Sequence, residues 1–300
     1  MSLNMSSMSR DPAAAMGRAS EWRPKVTALV PCYNSATFIS RTLDCLAAQT
    51  WPNLEILIGD DCSSDATIEV VRDFAKAREN VRVLARDTNL GWLRNSNDLM
   101  ARATGELMFF AFHDDLITPN YVEKLVDALR DRPKAIMAFS DLELVEVNGS
   151  RSVWIYDELT GLNSSLARGF DMAKRRDGWW VPNRGLFRAT VFERIGGIKP
   201  NDSGEYSADW TWLLHMALLG EFVRVPEVLC QKFFMKDSLS KTWPNDSKQR
   251  AALQRAGIRE IRESSLGLLQ KAFLIAYLKR FSPFPRHINR LLKRALGLPA

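Results

Sequence analysis

From Val26 onward the chain alternates short apolar runs with longer amphipathic stretches, and this alternation constrains its fold more than any other feature. The apolar runs read VTALV, LEILIG, VRVLA and ELMFFAF, and the first two stretches between them read ATFISRTLDCLAAQ and ATIEVVRDFAKA. Within the first stretch Ile39, Leu43 and Leu46 fall on one face of a helix, and a similar spacing recurs in the second. The alternation predicts β-α-β units, a mainly parallel sheet and helices on both of its faces.

Length and composition indicate a globular protein. With 300 residues and 46% hydrophobic content, the chain can bury a sizeable core in one large domain, or in one domain with an appendage. Residues 1–23 lack apolar periodicity, so we expect a disordered leader there. The cysteines have no C-x-x-C spacing and the start does not resemble a secretory signal, which favours reduced thiols in a cytoplasmic chain. The four cysteines are Cys32, Cys45, Cys62 and Cys230.

The positive charge is concentrated near the C-terminus. The whole chain has a formal net charge of +6, but residues 250–294 contain eleven Lys or Arg against two Glu, a local charge of +9. This pattern favours contact between the C-terminus and an anionic membrane surface, and it does not favour a nucleic-acid groove. The segment SLGLLQKAFLIAYLKRF is too short to span a bilayer but can lie on one. In the alternative its apolar residues dock on the rest of the protein, namely Leu266, Leu269 and Phe273.

Polar residues follow three of the apolar runs, at the points where strands should end. Pro31, Tyr33 and Asn34 follow the first run. Residues 60–65, DDCSSD, follow the second, and residues 113–115, His-Asp-Asp, follow the run that ends in FFAF. In open α/β sheets ligands bind outside the carboxyl ends of the strands, so we expect these residues to share one edge of the sheet.

Each of these groups also has a simpler interpretation. Tyr33 can be a packed ring instead of a stacking platform for a base, and residues 60–65 can form a turn and a helix cap. One carboxylate of the pair Asp114 and Asp115 can cap the next helix, but that need does not explain both. A divalent cation between the pair and a diphosphate would neutralise the two carboxylates, and we favour this interpretation.

Two longer segments carry a resemblance to a known family. They read VTALVPCYNSATFISRTLDCLAAQTWPNLEILIGDDCSSDAT and NLGWLRNSNDLMARATGELMFFAFHDDLITPNY. Together they resemble the family 2 glycosyltransferases, and the match extends over about residues 25–240. The resemblance implies an α/β protein with the GT-A fold, in which a mainly parallel, Rossmann-like sheet is flanked by helices. Here a C-terminal helical extension would follow it.

The resemblance assigns most of the donor-binding residues. Pro31, Tyr33 and Asn34 match the segment that cradles the nucleoside base, and Asp61 matches a carboxylate that accepts a hydrogen bond from the uracil ring. Three further residues match an N-x-G segment and the following helix, which close over the nucleotide: Asn89, Gly91 and Asn97.

The acidic pair corresponds to the metal motif of the family. The resemblance implies that Asp114 lies near the ribose and that Asp115 binds the metal ion, Mn²⁺ or Mg²⁺. Phe112 stands where many relatives have a further acidic residue, so only the minimal Asp-Asp form of the motif is present.

The acceptor side resembles the family in GLFRATVFERIGGI and GEYSADWTWLLHMALLGEF, where Asp209 matches the catalytic base. A carboxylate on the face opposite the leaving diphosphate can take the proton of an acceptor hydroxyl, and such an arrangement inverts the anomeric configuration. The alternative for Asp209 is an N-cap. Trp179 and Trp180 border the expected acceptor cleft and can stack on a sugar ring, with core packing as the alternative.

Together these features predict a metal-dependent inverting glycosyltransferase. Its donor would be a nucleoside-diphosphate sugar, with UDP expected, and its acceptor a saccharide or lipid-linked saccharide of the cell surface. We expect it in the cytoplasm, with contact to the inner face of the membrane. The expected division is a leader over 1–23, a GT-A domain over 24–245 with a donor half (24–118) and an acceptor half (119–245), and a basic amphipathic helical extension over 246–300.

Other classes of protein fit the sequence less well. A nucleotidyltransferase usually needs a glycine-rich loop with a basic residue after the first strand, and VPCYNSAT has neither. A receiver module has paired acids after its first strand, where this chain has Pro31 to Asn34. A catalytically silent sugar-binding protein with the same fold stays open as an alternative.

Overall fold

One mixed sheet runs through the protein. The structure, a computed structural model, describes residues 22–174, 180–234 and 246–280. In this part of the chain nine strands pair in the order β3-β2-β1-β4-β8-β6-β9-β5, and β7 pairs with β6. The strands are β1 Val26–Cys32, β2 Leu54–Asp60, β3 Val81–Ala85, β4 Leu107–Phe110, β5 Asp115–Ile117, β6 Ala135–Val145, β7 Arg151–Trp154, β8 Leu186–Arg188 and β9 Glu221–Phe233.

Helices pack against the sheet and against one another. Within the same residues they are α1 Ile39–Ala47, α2 Thr67–Ala75, α3 Trp92–Arg102, α4 Tyr121–Arg130, α5 Ser165–Lys174, α6 Thr190–Ile195, α7 Ala208–Leu219, α8 Ser247–Glu263 and α9 Leu268–Arg280. A 3₁₀ turn spans Pro182–Arg184. The predicted leader lies almost wholly outside the described residues.

The first four strands of the sheet order confirm the predicted β-α-β organisation. β1 lies between β2 and β4, β3 lies outside β2, and all these pairings are parallel. Every residue of β1 and β2 is buried, as expected for strands covered on both faces. In α1 the buried side chains include Ile39, Leu43 and Leu46, the apolar face that the spacing predicts.

The other half of the sheet is mixed, since β6 and β9 pair in parallel while the remaining pairs are antiparallel. The short strands β5, β7 and β8 all pair antiparallel with their neighbours. Strand β6 joins two apolar runs, AIMAFS and LELV. Its register with β9 shifts around Ser140, Asp141 and Leu142, and such bulges let one long strand bend while it keeps its pairing. A turn at Asn148 and Gly149 connects β6 and β7, with Gly149 at φ 82°.

Helix α7 is the centre of the second half. Ala208 and the residues from Trp210 to Leu218 are buried. Helices α5 and α8 pack on this helix, and its Trp212 contacts Phe110 and Phe187 of the sheet. Helix α8 is held to it by a buried ion network. His215 Nδ1 lies 2.8 Å from Glu260 Oε2, and Lys199 Nζ lies 2.9 Å from the same oxygen. The described part of the predicted extension therefore packs on the rest of the protein.

The contacts of α9 differ in part from the docking alternative. Leu266, just before the helix, is buried as expected, but Leu269 is 77% exposed and Phe273 is 44% exposed. The helix docks through Leu274 and Leu278, which are fully buried, because these two residues face α5 and α8. Among the described residues, every helix is too short or too polar to cross a membrane.

Candidate active site

The carboxyl ends of the parallel strands bring the residues that are predicted to bind the nucleotide sugar to one edge of the sheet. β1 ends at Cys32, opposite Asp60 at the end of β2. The segments that follow are joined directly, since Asn34 Oδ1 accepts a hydrogen bond from the Ser64 amide at 2.8 Å. Asp65 Oδ2 accepts another from the Ala36 amide at 3.1 Å. Residues 60–65 thus form a structured turn before α2 as well as part of this edge.

Tyr33 presents an exposed aromatic ring at this edge. Pro31 is buried at the end of β1, whereas the Tyr33 side chain that follows is 47% exposed. Asn34 adopts a left-handed backbone with φ 48°, a conformation that asparagine tolerates better than most residues. An exposed ring after a buried strand is not a packed core residue, so it agrees with the stacking interpretation.

Asp61 is buried and holds the loop that precedes α3. Its Oδ1 accepts a hydrogen bond from the Leu90 amide at 2.7 Å, and its Oδ2 accepts one from the Gly91 amide at 2.9 Å. Asn89 Oδ1 also accepts from the Gly91 amide, at 3.0 Å. Carboxylate oxygens have further lone pairs, so Asp61 can still accept a hydrogen bond from another group. The structure therefore unites Asp61, Asn89 and Gly91.

Glu205 reaches the same loop from the other half of the domain, a position that the sequence analysis does not predict. Its Oε1 accepts a hydrogen bond from the Leu93 amide in the first turn of α3, at 3.4 Å. Negative charge is favoured at a helix N-terminus, although burial and the nearby Asp61 raise the pKa of Glu205. The two halves of the domain thus meet at Gly91.

Asn97 makes its contacts elsewhere. Its Nδ2 donates to the Ile198 carbonyl at 2.8 Å, and its Oδ1 accepts from the Ile198 amide at 2.8 Å. The side chain ties α3 to the segment after α6. Its role at the nucleotide stays a prediction.

The turn that carries the acidic pair is fixed by a helix and by an arginine. Thr42 of α1 donates from Oγ1 to the carbonyls of His113 and Asp115 at 2.9 and 3.1 Å. Asp115 begins β5 and is 4% exposed, and its Oδ2 accepts from Arg184 Nε at 2.6 Å. Arg184 therefore supplies a protein partner for the carboxylate that ends the apolar run.

A lysine lies beside both carboxylates. Lys232 Nζ is 3.6 Å from Asp114 Oδ2 and 4.0 Å from Asp115 Oδ1. Burial opposes ionisation of Asp114, but Lys232, His113 and Arg184 outweigh it and lower its pKa. Burial raises the pKa of Asp115, against the opposing effects of Arg184 and Lys232. Asp114 is the more accessible member of the pair, with a side chain that is 15% exposed.

Asp209 lies in the first turn of α7, where the N-cap residue is Ser207. Its Oδ2 accepts a hydrogen bond from Asn183 Nδ2 at 3.0 Å, and its Oδ1 accepts from the adjacent Trp210 amide at 3.2 Å. Its contacts therefore do not support the N-cap interpretation. Burial raises the pKa of Asp209 to about 6, which is the range in which a carboxylate acts well as a general base.

The 3₁₀ turn Pro182–Arg184 joins the acidic pair to Asp209. Asn183 bonds Asp209 while the next residue, Arg184, bonds Asp115, and Arg184 also affects the pKa values of Asp114 and Asp209. Within the described part of the chain, Oδ1 of Asn183 and Oδ1 of Asp115 are buried without a hydrogen-bond partner. These two oxygens are open to a donor or a cation.

Trp180 packs beside this turn. Its ring lies 5.1 Å from the Trp154 ring on β7, and its carbonyl accepts from Arg184 Nη1 at 3.0 Å. These contacts agree with the packing alternative, and its contact with an acceptor stays a prediction. Trp179 lies outside the described residues.

Comparison with known proteins connects this geometry to a family. The model of glycosyl transferase family 2 matches residues 27–188, more than half of the chain. The succinoglycan biosynthesis protein ExoO of Rhizobium meliloti is 32% identical over 135 residues, which are 45% of this chain and 38% of that protein. The poly(ribitol-phosphate) beta-glucosyltransferase of Bacillus spizizenii is 38% identical over 96 residues, 31% of this chain and 15% of that protein. The chain spans about half or less of the length of such curated relatives.

Solved structures show the same fold. S. aureus TarS 1-349 in complex with UDP-GlcNAc superposes with a TM-score of 0.65 at 18% identity, over 85% of this chain and 71% of that one. The mannosyltransferase PcManGT of Pyrobaculum calidifontis, in complex with GDP-Man and Mn²⁺, has a TM-score of 0.57 at 19% identity, over 92% and 81% of the two chains. The chain therefore belongs to glycosyl transferase family 2 and has the GT-A fold.

Proposed function

We propose that this protein is an inverting glycosyltransferase. It moves a sugar from a nucleoside diphosphate, with UDP as the expected carrier, to a saccharide or lipid-linked saccharide of the cell surface. The observation that carries this proposal is the 3₁₀ turn Pro182–Arg184, which connects the acidic pair to a carboxylate whose pKa is raised to about 6. This connection supports a site in which the donor and the base for the acceptor lie side by side.

The relatives support the proposed substrates in broad terms. TarS forms complexes with UDP and with UDP-GlcNAc, and PcManGT forms a complex with GDP-Man. Experiment therefore has to identify the nucleobase of the donor. Other relatives are a succinoglycan biosynthesis protein and a poly(ribitol-phosphate) beta-glucosyltransferase. These names favour a cell-surface polymer as the acceptor.

The residues of the acidic pair fit a divalent cation. Asp115 has a buried Oδ1 without a hydrogen-bond partner among the described residues, and the side chain of Asp114 is 15% exposed and lies 3.6 Å from the Lys232 ammonium. We expect both carboxylates to hold Mn²⁺ or Mg²⁺, with Asp114 the easier one to reach because Arg184 already occupies Oδ2 of Asp115. The bound cation would act as a Lewis acid that offsets charge on the leaving diphosphate.

The chain's own residues then divide the remaining work. Tyr33 and Asp61 would hold the nucleobase of the sugar donor. Asp209 takes the proton of the attacking hydroxyl, and Asn183 orients that carboxylate through its amide. Arg184 places positive charge between the two carboxylate sites and keeps Asp115 in position.

A substitution of the base tests the proposed reaction. In Asp209→Asn the proton acceptor is lost while the donor site keeps its residues, so we expect transfer to fall by about 10²–10⁴-fold with donor binding within about twofold. Binding is measured by calorimetry with UDP and Mn²⁺, and transfer by release of UDP with a saccharide acceptor. Unchanged transfer in the variant would reject Asp209 as the base.

We also propose that α9 contacts an anionic membrane. Leu268 and Leu269 are 86% and 77% exposed, Phe273 is 44% exposed, and Lys271 and Lys279 lie on the same helix. We expect Leu269→Glu with Phe273→Glu to reduce cosedimentation with vesicles of anionic lipid by at least about fivefold, with Val153→Glu on the exposed strand β7 as the control. If the wild type sediments equally with anionic and zwitterionic vesicles, or sediments with neither, the anionic membrane is rejected as a partner.

A further inference from the structure

Lys232 is held opposite the acidic pair by the backbone. It lies on β9 directly across from Asp115 of β5 in the antiparallel register, so the pairing of the two strands sets its position. Its side chain is only 15% exposed, and Nζ lies 5.5 Å from the centre of the Phe234 ring. The ammonium is therefore a fixed part of the site and not a solvated surface charge.

The ammonium stands between the carboxylates without bonding either of them. Its distances of 3.6 Å to Asp114 Oδ2 and 4.0 Å to Asp115 Oδ1 exceed the length of a hydrogen bond. Oδ1 of Asp115 has no hydrogen-bond partner among the residues that the structure describes. The two contacts are therefore electrostatic and are not hydrogen bonds.

The charges of the acidic pair and of its two cationic partners balance without any ion. Asp114 and Asp115 carry two negative charges, and Arg184 and Lys232 carry two positive ones within the same cluster. Asp209, on which Arg184 and Lys232 also act, adds a third carboxylate to their surroundings. A divalent cation would still find Asp114 and Asp115 neutralised by their two partners and would be repelled by Lys232 at close range. A diphosphate brings the missing negative charge, so the cation and the diphosphate are favourable only together.

We propose that Lys232 is an internal counter-ion that makes the divalent cation bind only with the diphosphate. The inference rests on the proposed function, since it takes the acidic pair as the metal site of a donor complex. With the diphosphate present, the ammonium has a second group of anionic oxygens within its reach and can move from the carboxylates toward them. Lys232 thus couples the binding of the donor to the binding of the cation.

The test measures binding of Mn²⁺ and needs no turnover. Free Mn²⁺ is followed by its electron paramagnetic resonance signal, with protein alone, with UDP and with inorganic pyrophosphate, which carries no base. The variants are Lys232→Met, which removes the charge, Lys232→Gln as a second neutral variant, and Lys232→Arg, which keeps the charge. Lys124→Met is the matched control, because Lys124 pairs with Glu227 on an exposed part of the same strand.

We expect the wild type to leave Mn²⁺ free until UDP is added. In Lys232→Met and Lys232→Gln, Mn²⁺ alone should bind about tenfold more tightly or better, since a unit charge is lost at 3.6 and 4.0 Å from the carboxylates. Lys232→Arg and Lys124→Met should behave as the wild type.

Two results overturn different statements. If the wild type binds Mn²⁺ alone as tightly as the neutral variants do, Lys232 is not the coupling residue, although the proposed function stands when UDP and Mn²⁺ together bind. If neither nucleotide nor pyrophosphate binds to the wild type even with Mn²⁺, the proposed function itself is rejected. Thermal unfolding of each variant verifies that it is folded, and the wild-type titration alone is sufficient to reject the coupling.

Discussion

At the scale of residues, Asn183 and Arg184 connect the chemistry of the site. One side chain donates to the expected base at 3.0 Å, and the next forms a buried ion pair with Asp115 at 2.6 Å. The Asn183 amide is oriented by its partner, because a carboxylate accepts hydrogen bonds and the NH₂ group must face it. Its Oδ1 is then left to accept from another group, such as an acceptor hydroxyl.

The Asn183 contact predicts a change in the pH profile. The base must be ionised, so transfer should fall as the pH drops through about 6, the pKa to which burial raises Asp209. In Asn183→Ala the ionised carboxylate loses a donor, its pKa rises further, and the acid limb of kcat moves to higher pH.

The measurement is kcat against pH for the wild type, for Asn183→Ala and for Asn148→Ala on the exposed β6–β7 turn. The last variant should keep the wild-type profile. An acid limb that stays in place in Asn183→Ala, with only a lower plateau, would contradict this role.

The predictable residues are those next to apolar runs. Tyr33, Asp61 and Asp114 could be located because parallel strands end at one edge, so position along the chain implies position in space. Asn183, Arg184, Lys232 and Glu205 carry no such signal. Arg184 meets Asp115 from 69 positions away, through a 3₁₀ turn in a region without apolar periodicity.

At the scale of elements, the buried helix α7 organises the half of the domain that is predicted to bind the acceptor. Its first turn holds Asp209, and α5 and α8 cover the faces that do not meet the sheet. Helix α9 then packs on α5 and α8 through Leu274 and Leu278. The docked C-terminal helices therefore support, through α7, the position of the expected base.

Substitutions in α9 test this support. Leu274 is fully buried, so Leu274→Ala should lower the free energy of unfolding by about 2–5 kcal/mol through lost burial and a cavity. Leu269, which is 77% exposed on the same helix, is the control. Leu269→Ala should change the free energy of unfolding by less than about 0.5 kcal/mol. Urea unfolding followed by circular dichroism measures both, and equal effects of the two substitutions would show that α9 does not dock as described.

The elements differ in how far the sequence predicts them. The spacing of Ile39, Leu43 and Leu46 predicts α1, since a helix with one buried face needs that period. The joining of two apolar runs into β6 depends instead on its partner β9, whose register absorbs the irregularity near Asp141. Pairing between distant segments leaves no periodic signal in either of them.

At the scale of the whole molecule, the two halves of the domain form one site. Residues 24–118 bring Asp61 and the acidic pair to the carboxyl edge of β1, β2 and β4, and residues 119–245 add Glu205, Arg184 and Asp209. The family and the fold follow from the comparisons, whereas the choice of donor and acceptor depends on the shape and the hydrogen bonds of the pocket. The central claim is therefore the binding of a nucleoside diphosphate at this edge.

The most direct measurement is a thermal-shift and calorimetric titration with UDP, GDP, dTDP and CDP, each with and without Mn²⁺. It is made on the wild type, on Asp114→Ala and Asp115→Ala, and on Asp202→Ala, which removes an exposed ion pair with Arg255 as a control. One diphosphate, expected to be UDP, should stabilise the wild type and the control only when Mn²⁺ is present, with the effect lost in the variants of the acidic pair. Absence of binding by all four, or binding that persists unchanged without Asp114 and Asp115, would contradict the proposed donor site.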